Sequence, residues 1–220
     1  MTPYMEHVNR WNGCTACDLC HTRKRVVMAR GNVPADVVFI GEAPGQSEDV
    51  LGRPFVGPAG RLLDDIIEQS IGAVNRHLLQ EKRRPLTYAL TNLVSCIPLD
   101  PEDRTKLAQP ETESIKACRP RLVEFVRLCQ PRMIVLVGSL ARDYIYGQSM
   151  FSLSGNSASA KLNAQSSDYT PEWIPASESL KIIDIVHPAA ILRANLAQRG
   201  LSVRRCVVTI SNAVQETFVR

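Results

Sequence analysis

Residues 37–63 constrain the fold of this chain more than any other segment. They begin with VVFI at 37–40, an apolar run typical of a strand buried on both faces of a parallel sheet. The run breaks into GEAPG at 41–45, which is too rich in glycine and proline to continue as strand or helix. Ligands of open α/β sheets bind just beyond the carboxyl ends of the strands. The segment therefore predicts a binding site that receives Glu42 and, from the next Gly/Pro segment, Phe55.

Three further apolar runs are predicted to be strands, at residues 88–94, 133–137 and 181–186. Helical patterns lie between or after the strands, at residues 61–71, 110–129, 139–146 and 202–218. Strands that alternate with helices predict an α/β fold, with a parallel sheet covered by helices on both faces. Pro120 predicts a break or a kink inside the second of these helices.

The length of 220 residues fits a single domain over residues 1–220. Residues 151–179 are rich in Ser, Asn and Ala and show no periodicity, so we interpret them as an inserted surface loop. No apolar run is long enough to cross a membrane, and the first ten residues lack the apolar middle of a signal peptide. We therefore expect a cytoplasmic protein. The net charge of +4 is compatible with a polyanionic partner.

Polar side chains lie in or just after three of the predicted strands. Glu42 follows the first strand, Asn92 lies in the second, and His187 follows the fourth. Taken alone, a histidine before a proline is typical of a turn, and an asparagine often ends a strand. In a parallel sheet, however, all of these strand ends meet at one edge, where Phe55 is also expected. The joint placement favours a functional site that combines a carboxylate, a carboxamide, an imidazole and an aromatic ring.

Seven cysteines are many for an intracellular chain, where clustered cysteines indicate metal or redox sites before disulfides. The spacing Cys-x-x-Cys-x-x-Cys joins Cys14, Cys17 and Cys20, and at least one more ligand must come from Cys96 or Cys118. Four thiolates suit either zinc or an iron–sulfur cluster, and the spacing does not choose between them. Such a site would fasten residues 1–30 to the sheet. Two cysteines in apolar surroundings are predicted to be packed thiols: Cys129 and Cys206.

Taken together, these motifs resemble the family 4, or iron–sulfur, uracil-DNA glycosylases. The matching pieces occur in the family's order: Cys14-x-x-Cys17, GEAPGQSED at 41–49, GRPFVGPAGRLL at 52–63, TNLVSC at 91–96, Cys118 and HPAAILR at 187–193. The resemblance implies a three-layer α/β/α sandwich around a four-stranded parallel sheet. It also implies a [4Fe–4S] cluster on Cys14, Cys17, Cys96 and Cys118, which leaves Cys20 without an assigned role.

The activity that the resemblance implies is hydrolysis of the bond between uracil and its sugar in DNA, the first step of base-excision repair. A base inside a duplex must be flipped into a pocket before it can be cut. Phe55 would stack on the flipped base, and the backbone of the 41–45 turn, including Gly41 and Ala43, would surround it. The Asn92 amide would donate to uracil O4 and accept from N3–H, a pattern that cytosine does not offer.

Further roles also come with the resemblance. His187 would donate a hydrogen bond to the charge developing on uracil O2. Glu42, or as second choice Glu48, would place a water and stabilise the cationic sugar. The segment Ile191-Leu192-Arg193 would enter the DNA minor groove, with an apolar wedge holding the base out.

Other functions fit the same residues. The enzyme could act on another damaged or modified base, or the chain could be a non-catalytic iron–sulfur protein that binds DNA. A third alternative is a nucleotide-binding α/β protein stapled by zinc. In each case we expect a monomer without membrane attachment, and DNA is the expected partner in the first two.

Overall fold

The computed structural model describes residues 1–150 and 180–219 and shows one sheet between two layers of helices. The predicted loop at 151–179 lies outside the described residues. The sheet has five strands in the order β1-β3-β2-β4-β5. Their bounds are β1 Arg30–Gly31, β2 Val37–Gly41, β3 Tyr88–Asn92, β4 Met133–Val137 and β5 Lys181–Ile185. The predicted three-layer sandwich is therefore confirmed, with one strand more than expected.

The additional strand is β1, which pairs antiparallel with β3 through Arg30 and Gly31 alone. A two-residue strand is too short to leave an apolar periodicity in the sequence, which explains why it was not predicted. The other four strands pair in parallel. β2 lies at the centre of the sheet, and every residue of it is buried.

Successive residues of β2 point to opposite faces of the sheet. Val37 and Phe39 lie in one apolar core, and Val38 and Ile40 lie in the other. Eight α-helices occur in the described part of the chain: α1 Pro3–Trp11, α2 Gln46–Leu51, α3 Pro58–Ile67, α4 Ala73–Gln80, α5 Thr112–Cys129, α6 Ser139–Met150, α7 Pro188–Arg193 and α8 Leu196–Val214. Residues of α3, α4 and α8 fill the first core, and residues of α5 and α6 fill the second.

Pro120 does not break α5, which continues from Thr112 to Cys129. Of the two predicted alternatives, a break or a kink, the break is wrong, because the proline removes a single N–H donor on an exposed side of the helix. The surrounding turns keep their buried face, including Leu122 and Phe125. No helix in the described residues is both long and apolar enough to span a bilayer.

The N-terminal segment is fastened to the sheet domain by polar contacts. In α1, the Trp11 indole donates to Glu124 of α5 at 2.7 Å, and Arg10 donates to the same carboxylate at 2.9 Å. Farther along, the Lys24 N–H donates to the buried Asp49 carboxylate at 2.9 Å. The Val27 N–H bonds to the Ser95 carbonyl just beyond β3, at 2.7 Å. These contacts place α1 against α5, and the segment around Lys24 and Val27 against α2 and the residues that follow β3.

Candidate active site

The end of β2 brings Asn92 and Phe55 to one point. Gly41 pairs with Asn92 across the β2–β3 ladder. A Cβ atom at Gly41 would lie 2.5 Å from Asn92 Oδ1 and 2.5 Å from Phe55 Cζ. Only glycine leaves room for the amide and the ring at this point, so the first residue of the GEAPG turn shapes the pocket by having no side chain.

The backbone of Phe55 is held in a conformation that residues other than glycine rarely adopt. Phe55 has a φ of 56°, in the left-handed region. Arg30 donates to the Pro54 carbonyl at 2.9 Å and to the Phe55 carbonyl at 3.3 Å. Gly60 packs directly on the Phe55 backbone, where a Cβ atom would come within 2.0 Å of the carbonyl oxygen. Strain of this kind persists only where the surroundings enforce it, and it is concentrated at functional sites.

The Asn92 side chain is available to a ligand. Asn92 is 3% exposed. Among the residues that the structure describes, its amide group has no hydrogen-bond partner, although its backbone carbonyl accepts from Arg121 at 2.5 Å. Its amide atoms are not among the fully enclosed side-chain atoms that lack a partner, so the group stays accessible to a ligand although the residue as a whole is buried. The position therefore suits recognition of a group that offers one acceptor and one donor side by side.

Glu42 and His187 approach each other beside Gly138, the residue that follows β4. Gly138 follows β4 with a φ of +101°, and a Cβ atom there would lie 2.7 Å from Glu42 Oε1 and 3.1 Å from His187 Cβ. The backbone N–H of Leu140, in the first turn of α6, lies close enough to the Glu42 carboxylate to lower its pKa. Glycine at this position thus allows the carboxylate and the imidazole to approach each other at the strand ends.

The tautomer of His187 follows from its place at the start of α7. His187 is the N-cap of that helix, and its Nδ1 accepts from the Ala189 N–H at 3.1 Å. In a neutral imidazole one nitrogen accepts and the other carries the proton. Burial, with a smaller contribution from Arg193, lowers the pKa of His187. The ring is therefore neutral near pH 7, with an N–H donor at Nε2.

Burial also acts on Glu42, where it raises the pKa of the carboxyl group. The Leu140 N–H and the charge of Arg193 oppose this shift. Arg193 is exposed at the end of α7, and its charge acts on both Glu42 and His187. The result is a carboxylate in a partly dry setting, where its charge interacts more strongly than it would in water.

Glu48 has a different setting from Glu42. Its Oε1 accepts from the Val56 and Gly57 N–H groups, each at 2.8 Å, and its Oε2 accepts from the Gly45 N–H at 3.1 Å. The carboxylate therefore ties the GEAPG turn to the segment that carries Phe55. Ala43, in the same turn, is half-buried against the core on the α5 side of the sheet.

The predicted DNA wedge is corrected at one position. Ile191 is 1% exposed and lies in the core with residues of α3 and α8, so it is not available to enter a groove. Leu192 is half-buried, and its carbonyl accepts from Arg199 at 2.7 Å. Arg193 alone of the three is exposed. The prediction for Ile191 was wrong because α7 turns that side chain inward.

The four predicted cluster cysteines line one narrow cavity of about 20 Å³: Cys14, Cys17, Cys96 and Cys118. Cys20 does not line it. Burial raises the pKa of the Cys96 thiol to about 12, and the neighbouring Cys118 and Cys17 also raise it, although Arg23 acts in the opposite direction. Within the described ranges, no three His, Cys, Asp or Glu side chains are grouped closely enough to hold one metal ion. The four cysteines therefore line a common space, although no three of them are grouped as ligands of one metal ion.

Two orphaned donors also line this cavity. The Ser95 hydroxyl and the Arg121 Nε are buried and have no hydrogen-bond partner in the described part of the structure. Buried donors without acceptors are rare and costly. The cavity thus offers four thiols and two unsatisfied donors to whatever occupies it, which suits a sulfur-rich anionic group.

The comparison with protein families decides the identity of the fold. The model of the uracil DNA glycosylase superfamily matches residues 28–209, a range that contains every strand of the sheet. The chain belongs to the uracil-DNA glycosylase superfamily. The resemblance found in the sequence motifs is therefore confirmed at the level of the family.

Several relatives of this superfamily member carry the name type-4 uracil-DNA glycosylase. The protein of Archaeoglobus fulgidus is 35% identical over 180 residues, which cover 81% of this chain and 78% of that protein. The protein of Thermotoga maritima is 32% identical over 195 residues, 89% of this chain and 84% of that protein. The protein of Sulfurisphaera tokodaii is 32% identical over 179 residues, 81% of this chain and 71% of that protein.

Three residues that support the site of this superfamily member were not identified from the sequence: Arg30, Asp49 and Arg121. Gly138, in contrast, was placed at the end of the third predicted strand, at the edge where the other site residues meet. The two arginines and the aspartate carried no usable signal. Their roles depend on burial and on partners far along the chain, which local patterns do not encode.

Proposed function

We propose that this protein is a uracil-DNA glycosylase, which hydrolyses the bond between uracil and deoxyribose in DNA and leaves an abasic site. The observation that carries the proposal is the convergence of Asn92 and Phe55 on Gly41, with Glu42 and His187 beside them. A flipped pyrimidine needs a ring to stack on and a polar group that reads its edge. The type-4 names of the relatives support uracil as that base.

Selectivity is assigned to the Asn92 carboxamide. Its N–H₂ group donates to uracil O4, and its carbonyl oxygen accepts from uracil N3–H. Cytosine presents a donor at C4 and carries no hydrogen on N3, so both contacts would be mismatched. Because Asn92 is 3% exposed, the mismatched groups would remain buried and unpaired, which costs much more than at the surface. Phe55 supplies the stacking face.

Departure of the base is assigned to His187. When the bond between C1′ and N1 breaks, its electron pair goes to the uracil ring, and negative charge gathers on O2. The Nε2–H of neutral His187 donates to this oxygen. Because Nδ1 is held by the Ala189 N–H, the donor is oriented before the base arrives.

The sugar side is assigned to Glu42. As the bond breaks, the deoxyribose gains cationic character, which a nearby carboxylate stabilises. The same carboxylate orients a water whose oxygen bonds to C1′, and it takes up the proton that this water loses. Glu48 is assigned to the loops that it ties together, since all three hydrogen bonds of its carboxylate go to backbone N–H groups.

We further propose that Cys14, Cys17, Cys96 and Cys118 hold a [4Fe–4S] cluster. The proposal is supported by the common cavity that the four cysteines line, and the unsatisfied Ser95 and Arg121 donors at the same cavity favour an acceptor-rich group. The cluster would act as a structural link between the N-terminal segment, the end of β3 and α5. On the opposite flank, the exposed Arg193 is assigned to DNA phosphate contact.

The test is abasic-site formation on single- and double-stranded DNA carrying uracil, with thymine and cytosine DNA as controls. Iron-loaded wild-type protein is expected to release uracil and neither control base. Glu42→Gln and His187→Ala are each expected to bind the DNA and lose most of the activity. Release of a different modified base without release of uracil would overturn the substrate. Full activity in both variants would overturn the assigned chemistry.

A further inference from the structure

One arginine of α5 is buried beneath the end of β3. Arg121 is 1% exposed. Its Nη1 donates to Thr91 Oγ1 at 2.8 Å, and its Nη2 donates to the Asn92 and Leu93 carbonyls at 2.5 and 3.0 Å. These acceptors belong to the strand end that presents the Asn92 amide to the pocket. The guanidinium therefore fixes the backbone from which that amide projects.

The positive charge of Arg121 has no counterion in the described structure. No ion pair among the described side chains includes Arg121, and its Nε lacks a hydrogen-bond partner. All of its acceptors are neutral oxygens. A buried charge without a counterion costs several kcal/mol in general, which is why buried charges in proteins are paired. Its surroundings are therefore incomplete without an anion.

The place for that anion is the cavity lined by the cysteines. Arg121 lines it together with Cys14, Cys17, Cys96 and Cys118. Arg23 approaches the same group of cysteines, with its Nη1 3.6 Å from Cys96 Sγ. One arginine thus lines the space between the thiols and another contacts Cys96, and a cluster held by four thiolates carries a net negative charge.

We propose that Arg121 is a positioning residue that holds the end of β3, and with it the Asn92 amide, against the anionic cluster in the cysteine-lined cavity. The inference rests on the proposed function, since both the cluster and the uracil contact of Asn92 are part of it. It goes further because it connects the cluster to base recognition. The Arg121 side chain contacts the cluster on one side, and on the other it contacts the end of β3, which carries Asn92.

Two measurable consequences follow from this placement. A positive charge next to the cluster favours its reduced, more negative form, so removing the charge lowers the reduction potential. Removing the guanidinium fork also frees the strand end, so the Asn92 amide holds uracil less firmly. A merely structural arginine would change stability but would not shift the potential.

The experiment compares iron-loaded wild type with Arg121→Met and Arg121→Lys, and uses Arg127→Met as a control from an exposed position on the same helix. For each protein we would measure the iron content per chain, the reduction potential of the cluster by voltammetry, and the inhibition of uracil release by free uracil. Arg121→Met is expected to show a lower potential and about tenfold weaker inhibition by uracil. Arg121→Lys keeps the charge and should keep the potential while losing part of the uracil affinity. Arg127→Met should match wild type in both.

If Arg121→Met does not fold or load iron, Thr91→Val replaces it, because it removes the side-chain acceptor of Arg121 and leaves the charge in place. Thr91→Ser keeps the hydroxyl and is its matched control. Thr91→Val is expected to weaken inhibition by uracil without changing the reduction potential. Thr91→Ser should be inhibited by uracil as strongly as wild type. Equal uracil affinity in Thr91→Val and Thr91→Ser would overturn the positioning role.

The remaining outcomes separate the inference from the proposed function. Wild-type potential and wild-type uracil inhibition in iron-loaded Arg121→Met would overturn the inference and leave the glycosylase assignment intact. Wild-type protein that binds no iron would also overturn it. If wild type holds iron but releases no uracil from DNA, the proposed function fails, and with it the recognition role of Arg121. The potential of Arg121→Met then decides alone whether Arg121 faces the cluster.

Discussion

Oε1 of Glu48 lies 2.8 Å from the backbone nitrogen of Val56, the residue that follows Phe55. The carboxylate of α2 thereby fixes the segment that carries the aromatic ring. Its other oxygen accepts from Gly45 in the turn that follows β2. The two halves of the predicted base pocket are joined through the carboxylate of one side chain.

Glu48→Ala is expected to raise the KM for uracil DNA more than it lowers kcat, because it unties the two segments and leaves three backbone donors without acceptors. The free energy of unfolding should fall by about 1–3 kcal/mol. Steady-state kinetics and urea unfolding measure the two effects. Glu48→Gln keeps an oxygen for Val56 and Gly57 and should lose less. A pure loss of kcat with unchanged KM and stability would instead favour a catalytic role for Glu48.

Gly41→Ala is expected to abolish uracil release in a protein that still folds. The added methyl group would lie 2.5 Å from both Asn92 Oδ1 and Phe55 Cζ, so the amide or the ring must leave its place. Gly13→Ala is the matched control, because nothing lies within 4 Å of its Cβ position. Activity assays together with circular dichroism separate a closed pocket from unfolding. Wild-type activity in Gly41→Ala would contradict the pocket.

Activity should fall on the acid side of the pH profile, where both Glu42 and His187 become protonated, with a midpoint above the ordinary glutamate pKa of about 4.3. Burial raises the pKa of Glu42, so its carboxylate becomes protonated at a higher pH than that of a free glutamate, and activity is lost as the pH falls through that value. Single-turnover rates across the acid range give the midpoint. Arg193→Gln should move the midpoint to higher pH, since Arg193 lowers the pKa of Glu42. A midpoint at or below 4.3 would contradict the buried setting.

Glu42→Gln is expected to lose activity and gain stability at neutral pH. A carboxyl group whose pKa is raised in the folded state favours folding in its neutral form, and this advantage disappears as the pH rises through the folded-state pKa. Glutamine is neutral at every pH and avoids the cost. Thermal unfolding at pH 7 measures the difference, with Glu102→Gln as an exposed control. A lower midpoint for Glu42→Gln than for wild type would contradict the sign of the shift.

The sequence was sufficient for the central sheet and for its ligand edge. Apolar runs such as 37–40 are buried on both faces, and this simple rule places Gly41, Asn92 and His187 at one edge. The strand β1 was missed because two residues carry no periodicity. The break expected at Pro120 did not occur, because the tertiary packing of α5 outweighs one missing hydrogen bond.

Side-chain roles were harder to predict than positions. Ile191 was expected to face DNA because the resemblance implies a groove-entering segment after His187, but the rotation of α7 that buries it cannot be deduced from six residues. Arg121 was not singled out in the sequence. Arg121 is surrounded by the end of β3 and by a cavity whose cysteines lie as far apart in sequence as Cys14 and Cys118. Such an environment exists only in the folded protein.

The cavity of the cysteines has a consequence for how the protein is made. Its cysteines run from Cys14 to Cys118, so the cavity cannot form on the ribosome until more than half of the chain has emerged. The contacts of the N-terminal segment with Asp49 and Ser95 become available before Cys118 is made, and the contact with Glu124 only after it. Closing so long a loop carries an entropic cost that each contact reduces in turn. During synthesis, the N-terminal segment therefore stays incompletely fixed until α5 has been made.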